Sequence, residues 1–200
     1  MDSISTEKKQ IVVLSGPTGS GKNAILTELL RRCSNGVRLV TATSRAPRPG
    51  EVDGEDYYFF SDEQFMDALA KGEILEHRDI PSLGTHYGIF KPDLERKLAA
   101  GNVVLAQLDI IGARFLKEKY GATTIFINAP SLDSLRERIR VSGRNMSEEE
   151  LERRIEIARR EISEYAPEYD YQVINADGHM EDAVNEIIRI LEKEGFTLQI

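Results

Sequence analysis

Apolar and polar positions alternate along this chain in blocks that predict strands and helices in turn. Ile11–Ser15 is a short apolar run typical of a buried strand, and Asn23–Cys33 repeats its apolar residues at helical spacing. Val37–Thr43 predicts a second strand. The same rhythm returns later in a helix, strand, helix, strand and helix at Lys91–Ala100, Asn102–Leu108, Ile110–Tyr120, Thr123–Ile127 and Leu132–Arg140. Alternation of this kind predicts an α/β fold, with a parallel sheet covered by helices on both faces.

A segment of different character interrupts this rhythm. Ser44–Asp56 carries two prolines and two glycines without a helical period, and the aromatic run Tyr57–Phe60 follows it. A short helix at Asp62–Lys71 and a strand at Glu73–Arg78 come next. We therefore expect residues 41–90 to form a lobe of mixed α/β character inserted beside the sheet.

The last third of the chain predicts one long helix, a strand and a final helix. Ser147 and Glu150 have the spacing of a capping box. In the long helix, Arg154 lies at the edge of the apolar stripe formed by Leu151, Ile155, Ala158 and Ile162, whereas Arg153 and Arg160 point away from it. Tyr171–Asn175 predicts a strand, and the helix after it begins near Met180.

The clearest chemical motif joins the first strand to the first helix. It reads GPTGSGK, and its glycines allow the backbone to turn its N–H groups inward around phosphate oxygens at a helix N-terminus. The predicted triphosphate-binding residues are Gly16, Thr18, Gly19, Ser20, Gly21, Lys22 and Asn23. Lys22 is the mobile charge for the β- and γ-phosphates. The next position usually carries a Ser or Thr that ligates Mg²⁺; here it is Asn23, a doubtful metal ligand.

Composition narrows the function classes. The chain has 200 residues and a formal net charge of −8, which argues against broad nucleic-acid binding and requires locally clustered arginines at any polyphosphate site. Its apolar runs are far too short to cross a membrane, and its N-terminus lacks the apolar centre of a signal peptide. Cys33 is the single cysteine, which fits a reducing cytoplasm, and we expect it to serve packing. With only three histidines beside it, we expect no structural zinc site.

A second basic stretch follows the second predicted strand. Arg45 and Arg48 lie three apart in a Pro-stiffened loop and could form a fork for one phosphate, with tyrosine hydroxyls as further donors. By itself, a solvated charged turn explains the same residues at least as well.

With this stretch in view, the sequence resembles the guanylate kinase family. The resemblance rests on SRAPRPGEVDGEDY (Ser44–Tyr57), KGEILEH (Lys71–His77), HYG (His86–Gly88), LDIIGA (Leu108–Ala113) and YDYQVIN (Tyr169–Asn175), and it covers about nine-tenths of the chain. It implies a single domain over residues 1–200. Its parts would be a P-loop three-layer core (9–40, 91–139 and 155–200), a GMP-binding lobe (41–90) and a small helical lid (140–154).

The resemblance also implies roles for individual residues. Those that would bind GMP are Thr41, Arg45, Arg48, Tyr57, Glu76, Tyr87 and Asp109. Glu76 has a direct physical logic, because a carboxylate accepts from both the N1–H and the exocyclic amine of guanine, a donor pair that adenine lacks. Asp109 is also a possible metal ligand. The catalytic set would be Lys22, Arg45, Arg138 and Arg154, the last two closing on the triphosphate.

Five positions depart from the family pattern: Asn23, Ile89, Gln107, Ile111 and Ser142. Ser142 stands where a second lid arginine is expected, and Arg140 or Arg144 could take over its charge. The first hypothesis is transfer of the γ-phosphate of Mg²⁺-ATP to GMP or dGMP. The alternatives are a binding or scaffold domain with weakened catalysis, and a nucleoside monophosphate kinase with another base preference. We expect a cytoplasmic monomer or homodimer whose partners are ATP and GMP, without nucleic acid or membrane.

Overall fold

The computed structural model describes residues 9–81, 84–142 and 146–200. Five strands form a parallel sheet in the order β2–β7–β1–β8–β9. Their bounds are β1 Ile11–Ser15, β2 Gly36–Arg38, β7 Val103–Gln107, β8 Thr123–Asn128 and β9 Tyr171–Ile174. In the central strand β1, Val12 and Leu14 face one helical layer, whereas Ile11 and Val13 face the other. Burial on both faces explains why this strand is apolar at each position instead of alternating.

Helices cover both faces of this sheet. On one face lie α1 (Lys22–Arg32) and α7 (Met180–Lys193), and on the other α3 (Lys91–Ala99) and α4 (Ile110–Tyr120). The predicted three-layer α/β class is therefore confirmed. Cys33 is buried at the end of α1, as expected for a packing residue.

A second sheet of four strands lies in the interrupting segment, in the order β4–β3–β6–β5. Its strands are β3 Ala42–Thr43, β4 Tyr58–Phe59, β5 Ile74–Ile80 and β6 Thr85–Phe90, and helix α2 spans Asp62–Ala70. We call this unit the lobe sheet. Strand β3 pairs parallel with β4 and antiparallel with β6, which agrees with the predicted mixed character.

The predicted second strand, Val37–Thr43, is wrong as one element. It divides into β2 in the core sheet and β3 in the lobe sheet. The break has a physical cause, because the backbone N–H of Val40 donates to the buried carboxylate of Asp93 instead of to a strand. The apolar periodicity of the sequence does not show that the Val40 N–H has a side chain as its hydrogen-bond partner.

Asp93 joins the two sheets. Its fully buried carboxylate also accepts from Tyr58 Oη in the lobe sheet and from the side chains of Arg96 and Lys97 on α3. Burial acts to raise the pKa of Asp93, but the hydrogen bond from Lys97, with those from Val40 and Tyr58, holds the pKa below its usual value. A buried charge so completely paired is expected to fix the lobe to the core.

Two helices follow the core strand β8: α5 (Leu132–Ser142) and α6 (Glu148–Arg160). Their buried residues form one cluster that includes Leu135, Ile139, Leu151 and Ile155, so the predicted stripe on α6 is confirmed. The capping box is only half present. Ser147 accepts from the Glu150 backbone N–H, but the Glu150 carboxylate turns to Arg153 and Arg154. Arg144 lies outside the described residues.

Candidate active site

The loop between β1 and α1, Gly16 to Lys22, has the backbone geometry of an anion cradle. Gly16, Gly19 and Gly21 have φ values of 141°, 85° and 89°. A Cβ at Gly16 would lie 2.1 Å from the Ile127 carbonyl oxygen, so only glycine fits there. Buried Ser20 Oγ has no hydrogen-bond partner among the described residues. We call Gly16–Lys22 the phosphate loop.

Lys22 is drawn into this loop. Its Nζ donates to the carbonyl oxygens of Gly16 at 2.5 Å and Pro17 at 2.7 Å. Burial lowers the pKa of Lys22 to about 8, against the opposing effect of the nearby Glu161 carboxylate. The ammonium is thus mostly protonated at neutral pH, with carbonyl partners that an anion can replace.

Arg138 and Asn175 hold the phosphate loop from outside. Asn175 Nδ2 donates to the Ser20 carbonyl oxygen at 2.8 Å. Arg138 Nη2 donates to the Asn175 carbonyl oxygen at 2.7 Å, and its Nε donates to Asp177 at 2.8 Å. The structure therefore places Arg138 beside the loop, and its contact with the triphosphate stays a prediction.

Arg154 is not brought there. It lies on α6, and its Nε donates to Glu150, four residues earlier on the same helix, at 2.8 Å. In the described structure Arg154 lines neither the cavity beside the phosphate loop nor the cavity between the lobe sheet and the core. Ser142, at the end of α5, donates to the Ile139 carbonyl oxygen, and Arg140 pairs with Glu148.

The two arginines of the second site are organised by a carboxylate that the sequence reading had left without a role. Glu51 accepts from Arg45 Nη2 at 2.9 Å and from the backbone N–H of Arg48 at 2.7 Å. Arg45 Nε donates to Tyr87 Oη at 3.1 Å, and the guanidinium lies 5.5 Å from the Tyr57 ring centre. The loop is therefore a folded cluster around Arg45, not a solvated turn; Arg48 itself is exposed.

Glu76 lies in a cavity of about 210 Å³ between the lobe sheet and the core, which we call the small cavity. Its lining also includes Thr41, Tyr57 and Tyr87. Glu76 Oε1 is buried and has no hydrogen-bond partner within the described chain. Burial, followed by the charge of Asp109, raises the pKa of Glu76 to about 7, and Arg78 opposes this shift. An unpartnered buried carboxylate is costly, which favours a ligand that donates to it.

A cavity of about 600 Å³, the large cavity, opens beside the phosphate loop. Lys22 and Gly16 line it on one side, and Glu161, in a single π-helical turn (Glu161–Tyr165), lines it on another. Burial raises the pKa of Glu161, while Lys22 lowers it. Sequence reasoning missed Glu161, because the α-helical period continues through it without a sign of the π turn.

Asp109 lies at the boundary of the two cavities and is already occupied. Its Oδ1 caps α4 by accepting from the backbone N–H groups of Ile111 and Gly112, each at 3.1 Å. Its Oδ2 accepts from Arg78 Nη1 at 2.9 Å. Arg78 is a second residue that sequence reasoning missed, although it lies two positions after Glu76 on β5 and lines the same small cavity.

The residues that depart from the family pattern lie in different environments. Gln107 and Ile111 line the large cavity, and Gln107 lines the small cavity as well. Asn23 is exposed in the first turn of α1. Ile89, by contrast, is fully buried in the core cluster under α3 and α4, where an apolar side chain is the better fit.

None of the helices in the described part of the chain is long and apolar enough to cross a membrane. Within residues 9–81, 84–142 and 146–200, no three His, Cys, Asp or Glu side chains are grouped so that they could hold a metal ion by themselves.

Comparison with known proteins identifies the family. The family model described as guanylate kinase matches residues 8–194. A guanylate kinase of Synechocystis sp. is 36% identical over 188 residues, covering 94% of this chain and 95% of that protein. One from a Wolbachia of Brugia malayi is 40% identical over 187 residues, covering 92% of each. The crystal structure of guanylate kinase from Anaplasma phagocytophilum superposes with a TM-score of 0.72 at 31% identity, covering 96% of this chain and 89% of that one. With these matches along nearly its whole length, the chain belongs to the guanylate kinase family, the nucleoside monophosphate kinases that act on GMP.

Proposed function

We propose that this protein transfers the γ-phosphate of Mg²⁺-ATP to GMP, with ATP bound at the phosphate loop and GMP in the small cavity. The observation that carries the proposal is the meeting of the two cavities. They share four lining residues, Arg78, Gln107, Leu108 and Asp109. Phosphoryl transfer depends on placing two polyanions in line and neutralising their charge, and a shared boundary between two sites suits that requirement.

In the proposed reaction a phosphate oxygen of GMP attacks the γ-phosphorus of ATP. The bond from that phosphorus to the β,γ-bridging oxygen breaks, and ADP leaves with the electron pair. GDP forms without removal of a proton, because the attacking oxygen is already ionised. This explains a site built from Lys22, Arg45, Arg48 and Arg138 without a general base. Arg154 enters this set only if α6 moves toward the loop.

The base is selected at the other end of the small cavity. The unpartnered Glu76 carboxylate accepts from the N1–H and exocyclic amine of guanine. Thr41 lines the same cavity and would contact the same ring. Tyr87 Oη accepts from Arg45 Nε, and the Tyr57 ring lies beside the Arg45 guanidinium, which supports a phosphate position there. The buried Glu76 would reject adenine, because adenine leaves the carboxylate unpaired.

The residues present fit a magnesium ion delivered with ATP. Mg²⁺ is usually held by one or two carboxylates together with substrate phosphates and water, and not by a cage of protein side chains. The amide oxygen of Asn23 and the carboxylate of Asp109 would be the oxygens that serve this role, and the ion would neutralise charge on the phosphates. Asp109 Oδ2 would have to bind the ion beside its hydrogen bond from Arg78.

The alternatives are less well supported. A scaffold function without catalysis does not explain a complete phosphate loop with Lys22 held inside it. A different base preference is suggested by Gln107 in the small cavity, but the unpaired Glu76 favours guanine. A cytoplasmic location and a monomeric or homodimeric state without nucleic-acid or membrane partners remain predictions.

ADP formation measured with GMP, dGMP, AMP, UMP and CMP as separate acceptors tests the proposal. We expect turnover with GMP and dGMP, and little ATP hydrolysis when no acceptor is added. Preference for AMP would establish the altered-base alternative. Tight GMP binding without turnover would establish the scaffold alternative.

A further inference from the structure

Arg78 lies where the two cavities meet. Of the four residues that line both cavities, it is the only cation, the others being Gln107, Leu108 and Asp109. The large cavity brings it to the same space as Lys22 and Gly16 of the phosphate loop. The small cavity brings it to the same space as Tyr57 and Tyr87 of the second site. The positive charge of Arg78 therefore borders both cavities.

The lobe sheet fixes the direction of Arg78. Arg78 on β5 is the direct antiparallel partner of Tyr87 on β6. Side chains directly opposite each other on paired antiparallel strands project from the same face. Tyr87 Oη accepts from Arg45 Nε at 3.1 Å. Tyr87 and Arg78 therefore project from the face of the lobe sheet that borders the small cavity, and Arg45 contacts Tyr87 from the loop after β3.

On the core side, one carboxylate holds Arg78. Its Nη1 donates to Asp109 Oδ2 at 2.9 Å, and both side chains remain well exposed, at 56% for Arg78 and 39% for Asp109. A guanidinium offers five N–H donors. In the described part of the chain, Asp109 accounts for one of these, so the remaining donors are available to a phosphate without breaking the ion pair.

The positive charge of Arg78 affects the pKa values of two carboxyl groups, one at each cavity. Burial and Asp109 raise the pKa of Glu76, and Arg78 is the group that opposes this. Burial likewise raises the pKa of Glu161, and Lys22 and Arg78 oppose it. The field of Arg78 thus reaches both the base end of the small cavity and the phosphate-loop side of the large one.

We propose that Arg78 is a catalytic residue of the phosphoryl transfer: its guanidinium donates to the oxygens of the phosphoryl group as that group passes from ATP to GMP. This rests on the proposed function. As the bond from the β,γ-bridging oxygen breaks and the bond to the GMP oxygen forms, charge spreads over the equatorial oxygens. Arg78 and Lys22 approach this charge from the two sides of the boundary. Arg78 therefore supplies at the lobe side the positive charge that Ser142 does not supply from the lid.

Turnover of Arg78→Ala and Arg78→Lys tests the assignment, with Arg114→Ala as the matched control. Arg114 forms an ion pair with Glu168 between two elements, its side-chain exposure of 50% is close to that of Arg78, and it lines neither cavity in the described structure. We expect kcat to fall about 100-fold in Arg78→Ala, the usual loss for one donor to a transition-state oxygen. KM for GMP and the preference for GMP over AMP should change less than about threefold, since base contacts are untouched. Arg78→Lys should restore part of the wild-type kcat, and Arg114→Ala should retain the wild-type kcat.

A binding measurement keeps the test independent of turnover. Adenosine–guanosine pentaphosphate, which joins the two nucleotides through a chain of phosphates, spans both sites. Its affinity, measured by calorimetry, should fall at least about tenfold in Arg78→Ala, because one donor to a charged phosphate is lost. GMP alone should bind with nearly unchanged affinity.

Three results would overturn the assignment. Loss of GMP-over-AMP selectivity at unchanged kcat would make Arg78 a base contact. A loss of thermal stability in Arg78→Ala with unchanged pentaphosphate affinity would make it a structural link. Unchanged kcat and unchanged pentaphosphate affinity would remove it from the site. A wild-type protein without GMP-dependent ADP formation would refute the proposed function instead, and the pentaphosphate affinities would still decide the role of Arg78.

Discussion

The phosphate loop and the second site both concentrate positive charge, but they are built from different parts of the chain. The phosphate loop is made of backbone, with three glycines at positive φ and one lysine folded back onto the carbonyl oxygens of the loop. The second site is made of side chains, with Arg45 held between Glu51 and Tyr87. The phosphate loop therefore depends on residues without a side chain, whereas the second site depends on how its side chains are paired.

This difference predicts opposite sensitivities. A backbone-built site should tolerate changes of polar side chains around it and fail when a Cβ is added. A side-chain-built site should tolerate an added Cβ in its loop and lose specificity when one functional group is exchanged. The same acidic protein, with a net charge of −8, thus concentrates positive potential in two physically distinct ways.

The largest effect is expected from Gly16→Ala compared with Gly50→Ala. The new Cβ at Gly16 would lie 2.1 Å from the Ile127 carbonyl oxygen, and the backbone has φ 141°. We expect a loss of about 3 kcal/mol or more in the free energy of unfolding, together with loss of ATP binding. Gly50, in the second-site loop, has φ 89° and nothing within 4 Å of the added atom. Its substitution should cost about 1 kcal/mol. Urea denaturation and ATP calorimetry on both variants measure the contrast, and equal losses would contradict it.

The second largest effect is expected from Glu76→Gln, which should lower the specificity for the guanine base. The amide cannot accept from both donors of guanine, so the preference for GMP over AMP, as a ratio of kcat/KM, should fall by about 1–3 kcal/mol. The control is Glu73→Gln, an exposed carboxylate just before the same strand. Unchanged selectivity in Glu76→Gln would refute the base-reading role.

The raised pKa of Glu76 predicts how GMP binding depends on pH. The free carboxyl has a pKa of about 7 because it is buried and lies near Asp109. Bound guanine stabilises the carboxylate, so binding releases a proton below pH 7, and GMP affinity should fall about tenfold per pH unit there. The phosphate of GMP itself titrates with a pKa of about 6, and this contribution is the same for the wild-type protein and for Glu76→Gln. Calorimetry of Glu76→Gln should therefore retain only the phosphate part, and identical pH profiles for the two proteins would contradict the assignment.

The smallest effect is expected from Asn23→Ser, at the edge of the phosphate loop. If a hydroxyl is a better partner for Mg²⁺-ATP than the amide, one improved polar contact of about 1 kcal/mol should raise turnover about fivefold. ATP affinity without Mg²⁺ should stay unchanged, which separates a metal effect from a change in the loop. A fall in turnover would show that the site is adapted to the amide.

The sequence by itself determined the three-layer class, most element positions and the phosphate loop. These follow from local patterns: a continuous apolar strand, a helical period and a glycine spacing typical of phosphate-binding loops. It also identified Glu76 and Arg45, because their surroundings carry a family signature. Their roles at the site stay predictions.

Only the tertiary structure decided which charges meet. The split of Val37–Thr43 between two sheets depends on Asp93, which is more than 50 positions away along the chain. The pairing of Arg45 with Glu51, the π turn at Glu161 and the meeting of Arg78 with Asp109 have no local period. Contacts of this kind arise when separate elements pack, so their partners are set by three-dimensional distance and by burial. For the same reason Arg154, placed at the stripe edge by its sequence position, lies against Glu150 instead of at the phosphate loop.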